Sequence, residues 1–323
     1  MTILVTGGAG YIGSHMVQAL LAAGYPVRVL DNLSTGHADA IPSSLLVRGD
    51  IGDAALLNRL FADTPIDAVF HFAGFIQVAE SVREPALYYQ NNVDGTRVLL
   101  DAMRRHAIER LVFSSSAAVY GTPSASPVPE TAPFAPINPY GRSKAFVELM
   151  LQDYAAAYGL RSVSLRYFNA AGADPAGRLG ERHEPETHLI PRILRVAGGQ
   201  DRGITLFGTD YDTPDGSCIR DYVHVVDLCE AHLLALQYLQ QHPGATAFNL
   251  GNGTGHSVRA VIAAAQRVTG RSIPVIEAPR RPGDPAVLVA SSTRARQELP
   301  WQPKYGHLVR IIEDAWRWYC RSQ

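Results

Sequence analysis

The sequence predicts an α/β protein: a doubly wound parallel sheet followed by a smaller C-terminal α/β region. Three observations carry this. Short apolar runs alternate with longer helical patterns through the first half of the 323 residues, as a parallel sheet covered by helices on both faces requires. The first apolar run passes at once into a glycine-rich turn. After Phe168 the regular alternation gives way to a stretch rich in Gly, Pro and charge.

Taken in order, six runs rich in Val, Leu and Phe read as buried strands: TILVT (2–6), PVRVLD (26–31), SLLVRGD (44–50), DAVFHFAG (67–74), RLVFSSS (110–116) and RSVSLRYF (161–168). HMVQALLAAG (15–24) and TRVLLDAMRRH (96–106) carry helix formers at helical period. NPYGRSKA (138–145) opens another helix. Asn138 suits the N-cap and Pro139 the first helical position, so Tyr140 and Lys144 fall one turn apart on one face. Residues 1–170 are thus expected to form one domain. The stretch NAAGADPAGRLGERHEPETHLIP, beginning at Asn169, reads as a long loop leading to a helix at 191–199. Short helices and strands follow, among them VIAAAQRVTG and IPVIEAP, and make 171–323 a second domain. HVVDLCEAHLLALQYL (224–239) is amphipathic, and segment 220–240 is expected to pack back on the first domain, leaving a cleft between the two.

Composition narrows the partners. A formal charge of -1, with 46% hydrophobic and 18% charged residues, points to neither nucleic acid nor an anionic membrane. No apolar run is long enough to span a bilayer. Cys218, Cys229 and Cys320 are too few and too scattered for a disulfide framework or a zinc site, and the N-terminus MTILVTGG lacks signal-peptide features. A cytoplasmic protein is expected.

Gly7, Gly10 and Gly13 lie at three-residue spacing between the first strand and a helix. Glycines there let the backbone turn tightly and approach a pyrophosphate at the helix N-terminus, the fingerprint of a Rossmann-type dinucleotide site. Asp31 ends the next strand, 18 residues past Gly13. It suits both ribose hydroxyls and repels a 2′-phosphate, so NAD is favoured over NADP. Asp50-Ile51 and Phe72-Ala73-Gly74 end the third and fourth strands, where ligands of open parallel sheets lie. Ser114, Ser115 and Ser116 end the fifth. A serine hydroxyl there can meet a substrate hydroxyl while the Tyr140 phenolate removes its proton and Lys144 lowers the phenol's pKa. The run RHEPETH invites a metal reading through His183, Glu184, Glu186 and His188. Its histidines are five apart with Pro185 between, so they share no helical face, and no metal is expected.

Nine segments spread over almost the whole chain, TGGAGYIGSH, DNLSTGH, HFAG, YYQNNVDGT, SSSAAVYG, NPYGRSKA, LRYFNAAGADP, FGTDYDTPDGSCIRDYVHV and RRPGDP, resemble the extended short-chain dehydrogenase/reductase family, on its nucleotide-sugar 4-epimerase branch. The resemblance implies Tyr140 as general base, Lys144 on the nicotinamide ribose and Ser116 on the sugar O4. It implies an NAD site lined by Gly7, Gly10, Tyr11, Ile12, Gly13, Asp31, Asn32, Leu33, Ser34, Thr35, Gly36, Asp50, Ile51, Phe72, Ala73, Gly74, Asn91, Ser114 and Phe168. It places Asn169, His188, Leu189, Thr205, Phe207, Arg220, Arg281, Asp284 and Leu288 around a UDP-sugar. On chemistry alone, Arg220 and Arg281 suit a diphosphate and Phe207 an aromatic base.

The implied reaction is C4 epimerisation of a UDP-hexose, UDP-glucose to and from UDP-galactose, through a 4-keto sugar with NAD not consumed. Rivals are a 4,6-dehydratase, a dehydrogenase and a non-catalytic NAD-sensing module. Dehydratases of the family carry an Asp-Glu pair where Ala117 and Ala118 stand, and the sensing module would have lost Tyr140 or Lys144. Two positions depart from the family. Ile76 replaces a common lysine, and Leu288 replaces a tyrosine of enzymes restricted to plain hexoses, which leaves room for an N-acetyl group. Pentose sugars stay open. The resemblance also implies a homodimer through helices near 85–105 and 140–158.

Overall fold

The chain opens with β1 (Ile3–Thr6), α1 (Tyr11–Ala22), β2 (Val27–Asp31), β3 (Leu46–Arg48), α2 (Ala54–Asp63) and β4 (Ala68–His71). It continues with α3 (Val78–Arg83), α4 (Pro85–Tyr88), α5 (Gly95–Arg105), β5 (Arg110–Ser116), α6 (Pro139–Tyr158) and β6 (Arg161–Tyr167). Then come β7 (Asn169–Ala171), α7 (Leu189–Ala197), β8 (Ile204–Phe207), β9 (Ile219–Arg220), β10 (Tyr222–His224), α8 (Val225–Gln241) and β11 (Ala245–Leu250). The last elements are β12 (His256–Ser257), α9 (Val258–Thr269), β13 (Val275–Ala278), β14 (Val287–Leu288), α10 (Thr293–Glu298) and α11 (Leu308–Arg321). This computed structural model describes residues 1–123, 125–281 and 284–322. Pro282 and Gly283 of the RRPGDP segment lie outside the described residues.

Seven strands form one parallel sheet in the order β11-β6-β5-β4-β1-β2-β3. β1 and β4 are buried along their whole length, which is why they read as unbroken apolar runs. One face of the sheet is covered by α1 and α8, whose Met16, Leu20, Leu228 and Leu236 join Val5, Phe70 and Leu165. The other is covered by α2, α5 and α6, whose Leu57, Leu99 and Leu151 pack on Leu4, Leu30 and Leu111.

Three details differ from the sequence reading. SLLVRGD reads as a buried strand, but β3 is three residues long, half-buried and exposed at Arg48, because it is the edge of the sheet. α1 begins at Tyr11 rather than His15, its N-cap being Gly10 of the glycine turn. A seventh strand, β11, lies far beyond residue 170 and pairs with β6, delivered there by the α8 crossover.

The remaining chain builds a second apolar cluster from α7, α9 and α11. Three short sheets (β7 with β10, β8 with β13, and β9 between β12 and β14) rim it on the side of the main sheet's C-terminal edge.

Candidate active site

The strand order reverses between β1 and β4, and the crevice there is where open α/β sheets bind ligands. Gly7 turns the chain out of β1 with φ +69°, and a Cβ on it would lie 2.5 Å from the Ala73 nitrogen. A Cβ on Gly13 would lie 2.1 Å from the Gly7 carbonyl oxygen. Only glycine permits this closeness of turn, β4 end and α1. The first turn of α1 has no side-chain cap, so its backbone N–H groups remain for an anion.

Asp31 is buried at the end of β2, its Oδ2 accepting from the Ala9 nitrogen at 2.9 Å and its Oδ1 from the Leu33 nitrogen at 2.8 Å. The carboxylate therefore ties β2 to the glycine turn and has its plane fixed. Asn32 donates to Asp50 at 2.8 Å and accepts from the Ser34 nitrogen at 2.9 Å, and Gly36 packs beside Asp31. Ile51 is buried, whereas Ser34 and Thr35 are exposed. Tyr11 is buried with Ile12 half-buried beside it, and its hydroxyl donates to the Gly172 carbonyl at 2.7 Å. Phe72 and Ala73 hang from the Thr6 carbonyl by hydrogen bonds of 3.0 and 3.1 Å. Ile76 is exposed, so no polar side chain stands at that position.

The chemical residues meet where β5 faces α6. Asn138 caps α6 by accepting from the Gly141 nitrogen at 2.8 Å, with Pro139 in the first turn, as the motif predicts. Lys144 is buried, donates to the Ser114 carbonyl at 2.8 Å and lies 4.8 Å over the Phe113 ring. Burial lowers its pKa to about 8, with Glu148 opposing. Ser114 bonds the Tyr167 hydroxyl, and Ser116 accepts from the Ala118 nitrogen at 3.1 Å. Ser116 also hydrogen-bonds the Tyr140 phenol and pulls its pKa down, against the larger upward push of burial. The Lys144 ammonium is 6.0 Å from the Tyr140 ring centroid and directed at a backbone carbonyl, so burial dominates and the phenol stands above its ordinary value, not below it.

Two residues that the sequence reading passed over hold this centre. Buried Asn92 accepts from the Phe75 nitrogen at 2.8 Å and donates to the Phe75 carbonyl at 3.0 Å and to Ser143 at 3.1 Å. Asn91 donates to its Oδ1 at 2.9 Å. The β4 end is thereby stapled to α6, and a Cβ on Gly74 would meet both Asn92 and Lys144. Glu148, one turn beyond Lys144, accepts from Ser115 at 2.5 Å and from Arg166 at 2.7 Å.

A third group gathers on the other side of the crevice. Arg220 pairs with Asp284 at 2.7 Å, and Arg281 approaches the same carboxylate at 3.3 Å while lying 4.7 Å over the Phe207 ring. Thr205 shares a face of β8 with Phe207, two residues apart. Asn169 donates to the Asp221 carbonyl at 2.8 Å, next to Arg220. Leu288 stands opposite Arg220 in the strand pair and packs, with Phe168, against Ala117, Val119 and Tyr120. His188 precedes Leu189 at the start of α7 and bonds Glu181. It belongs to a cluster with His183 and Glu186, although the loop carrying them forms no helix.

Residues 3–251 match the NAD dependent epimerase/dehydratase family. The chain belongs to that family. Among its relatives, the UDP-glucose 4-epimerase of Halalkalibacterium halodurans is 53% identical over 319 residues, 99% of this chain and 96% of that protein. The structure of UDP-glucose 4-epimerase from Brucella ovis in complex with NAD superposes with a TM-score of 0.95 at 50% identity, covering 98% of this chain and 97% of that one. The UDP-Glc/GlcNAc 4-epimerase of Campylobacter jejuni superposes at 0.87 with 42% identity, covering 99% of both chains. The cradle at Gly7 and Gly13 and the fixed Asp31 carboxylate fit the dinucleotide on which the epimerase/dehydratase family depends.

Proposed function

We propose that the protein interconverts UDP-glucose and UDP-galactose by NAD-dependent epimerisation at C4. The observation that carries this is the convergence of Tyr140, Ser116 and Lys144 beside the glycine turn, in a chain about half identical end to end to UDP-glucose 4-epimerases. Bound NAD supplies a reversible hydride acceptor for C4. The chain's own part is proton transfer and positioning. Ser116 holds the C4 hydroxyl and the Tyr140 phenol in one hydrogen-bonded line, and Tyr140 takes the hydroxyl proton as C4 is oxidised. After the 4-keto sugar has turned its other face, Tyr140 returns the proton and the configuration is inverted. Lys144, beside Gly74 and donating to the Ser114 carbonyl, stands where a nicotinamide ribose is held. Arg220 and Arg281 neutralise the diphosphate, and Phe207 stacks on the base. Ala117 and Ala118 offer methyl groups where a dehydratase needs an acid and a base.

The test is a coupled assay of UDP-galactose with no added reductant. Wild-type protein turns over, and Tyr140→Phe is expected to lower the rate by about 10²–10⁴-fold; a loss within about twofold removes the tyrosine base.

Leu288 supports a second substrate. Packed against the apolar cluster that includes Ala117, Val119 and Tyr120, it leaves more space than a tyrosine would, and UDP-N-acetylglucosamine is proposed as an additional substrate. A homodimer is also proposed. Val78, Val82 and Leu87 on α3 and α4 are exposed beside exposed Phe146 and Leu149 on the adjoining α6, an apolar surface suited to a second copy. Sedimentation equilibrium at twice the chain mass is the expected outcome. The three free cysteines accord with a cytoplasmic setting, and among the described residues no helix is long and apolar enough to cross a membrane.

A further inference from the structure

The loop between β7 and α7 gathers Glu181, His183, Glu186 and His188, with one ligand-type atom from each lying within 4.8 Å of all the others. His183 Nδ1 is 3.1 Å from Glu181 Oε1 and 3.7 Å from Glu186 Oε2. His188 Nδ1 approaches the same Glu181 oxygen. In a tetrahedral zinc site with bonds of about 2.0–2.1 Å, neighbouring donor atoms stand about 3.3 Å apart. The His183 separations bracket that edge length, whereas Glu181 and His188 stand closer, in hydrogen-bond contact, and move apart when both ligate. His183 Nδ1 is buried and makes no hydrogen bond despite its closeness to two carboxylates. Glu181 and Glu186 are almost wholly buried, at 5% and 6% side-chain exposure. Two carboxylates with two imidazoles balance one doubly charged cation once it displaces the protons that the carboxylates favour on both rings.

We propose that Glu181, His183, Glu186 and His188 bind one divalent transition ion of the zinc class. Mixed imidazole and carboxylate donors favour such an ion over calcium or magnesium, which take oxygen ligands in larger number. The site is structural in character, since all four protein donors are supplied by eight consecutive positions. It cross-links a loop that touches the cofactor side through the Tyr11 and His183 rings, 6.4 Å apart, and opens α7 at its other end. The sequence reading excluded a metal because the histidines cannot share a helical face. The loop brings them together without a helix.

The test uses the full-length chain free of any affinity tag, stripped by a chelator and titrated with zinc chloride near neutral pH. One ion per chain is expected by calorimetry, with a higher melting temperature at stoichiometric zinc. Cobalt chloride in its place is expected to give the intense visible bands of a four-coordinate ion. His183→Gln is expected to weaken zinc binding by at least about tenfold. Absence of saturable one-to-one binding, or His183→Gln binding as tightly as wild type, overturns the proposal. Should that variant not fold, weak cobalt bands of the six-coordinate kind in wild type overturn it equally. These readouts need no sugar turnover, so they stand apart from the assay of epimerisation.

Discussion

Tyr140 faces two opposing demands. Burial that shields a reacting sugar from water also raises the phenol's pKa, and the Ser116 hydroxyl is the neighbour that opposes the rise. A base that must both take and return a proton is better served by a shared hydrogen bond than by full ionisation. Tyr140, Lys144 and Ser116 were legible because motif, spacing and strand end agreed. Asn92 and Glu148 were not, since a lone asparagine or glutamate in a helical segment reads as a solvated position; only its burial distinguishes it. Leu288 makes a prediction at this scale. Leu288→Tyr is expected to lower turnover of UDP-N-acetylglucosamine by about 10–200-fold while leaving UDP-glucose turnover within about threefold, a bulky ring rejecting the larger sugar by about 1–3 kcal/mol. A substrate panel run on both proteins checks it, and turnover of the acetylated sugar by the wild type at under about 1% of the UDP-glucose rate counts against it.

α6 works as a ruler. Tyr140, Lys144 and Glu148 recur at intervals of four along one face, so whatever fixes Glu148 also sets the height of the phenol. Glu148 is fixed by Arg166 of β6, whose Nη1 donates to the Tyr120 hydroxyl at 2.7 Å, and Tyr120 in turn donates to Asn249 of β11 at 2.7 Å. The pair is buried, at 6% and 2% side-chain exposure. Glu148→Gln leaves the guanidinium without its counter-charge and is expected to cost about 3–5 kcal/mol of stability, read as a lower urea midpoint, together with a fall in kcat from a displaced Tyr140. The elements of the first half were readable because buried parallel strands leave continuous apolar runs. β11 escaped because its six residues sit between Gly244 and Gly251 and lean on a crossover helix for their place, a long-range pairing that no local pattern announces. β3 misled for the opposite reason: an edge strand can be apolar in sequence and still lack neighbours.

Over the whole molecule, stability in acid is set by histidines held neutral in the interior. Burial lowers His71 to about 3 and His15 and His232 to about 4. In the unfolded chain they titrate near 6.5, so between that value and about 4 the unfolded state binds more protons. Their contribution is complete above pH 6.5 and is lost as pH falls toward about 4. Asp221, raised to about 6 by burial, Asp227, raised also, and His183 and His188, raised against burial by the carboxylates of Glu181 and Glu186, offset part of this. Urea midpoints at about pH 7 and about pH 5 are expected to show the loss; equal midpoints refute it.

The segment that follows β7 lies across the glycine turn. The Tyr11 hydroxyl is tied to Gly172, the His37 ring to the Arg182 carbonyl at 3.1 Å, and Arg182 to Asp39. A dinucleotide seated at the glycine turn is expected to leave slowly if those contacts must first open. For most oxidoreductases such a long residence time would throttle turnover, because spent cofactor must be exchanged each cycle. Here the redox account closes within one catalytic round, so slow exit carries no kinetic penalty. A cofactor so retained is expected to behave as a prosthetic group rather than a diffusible co-substrate.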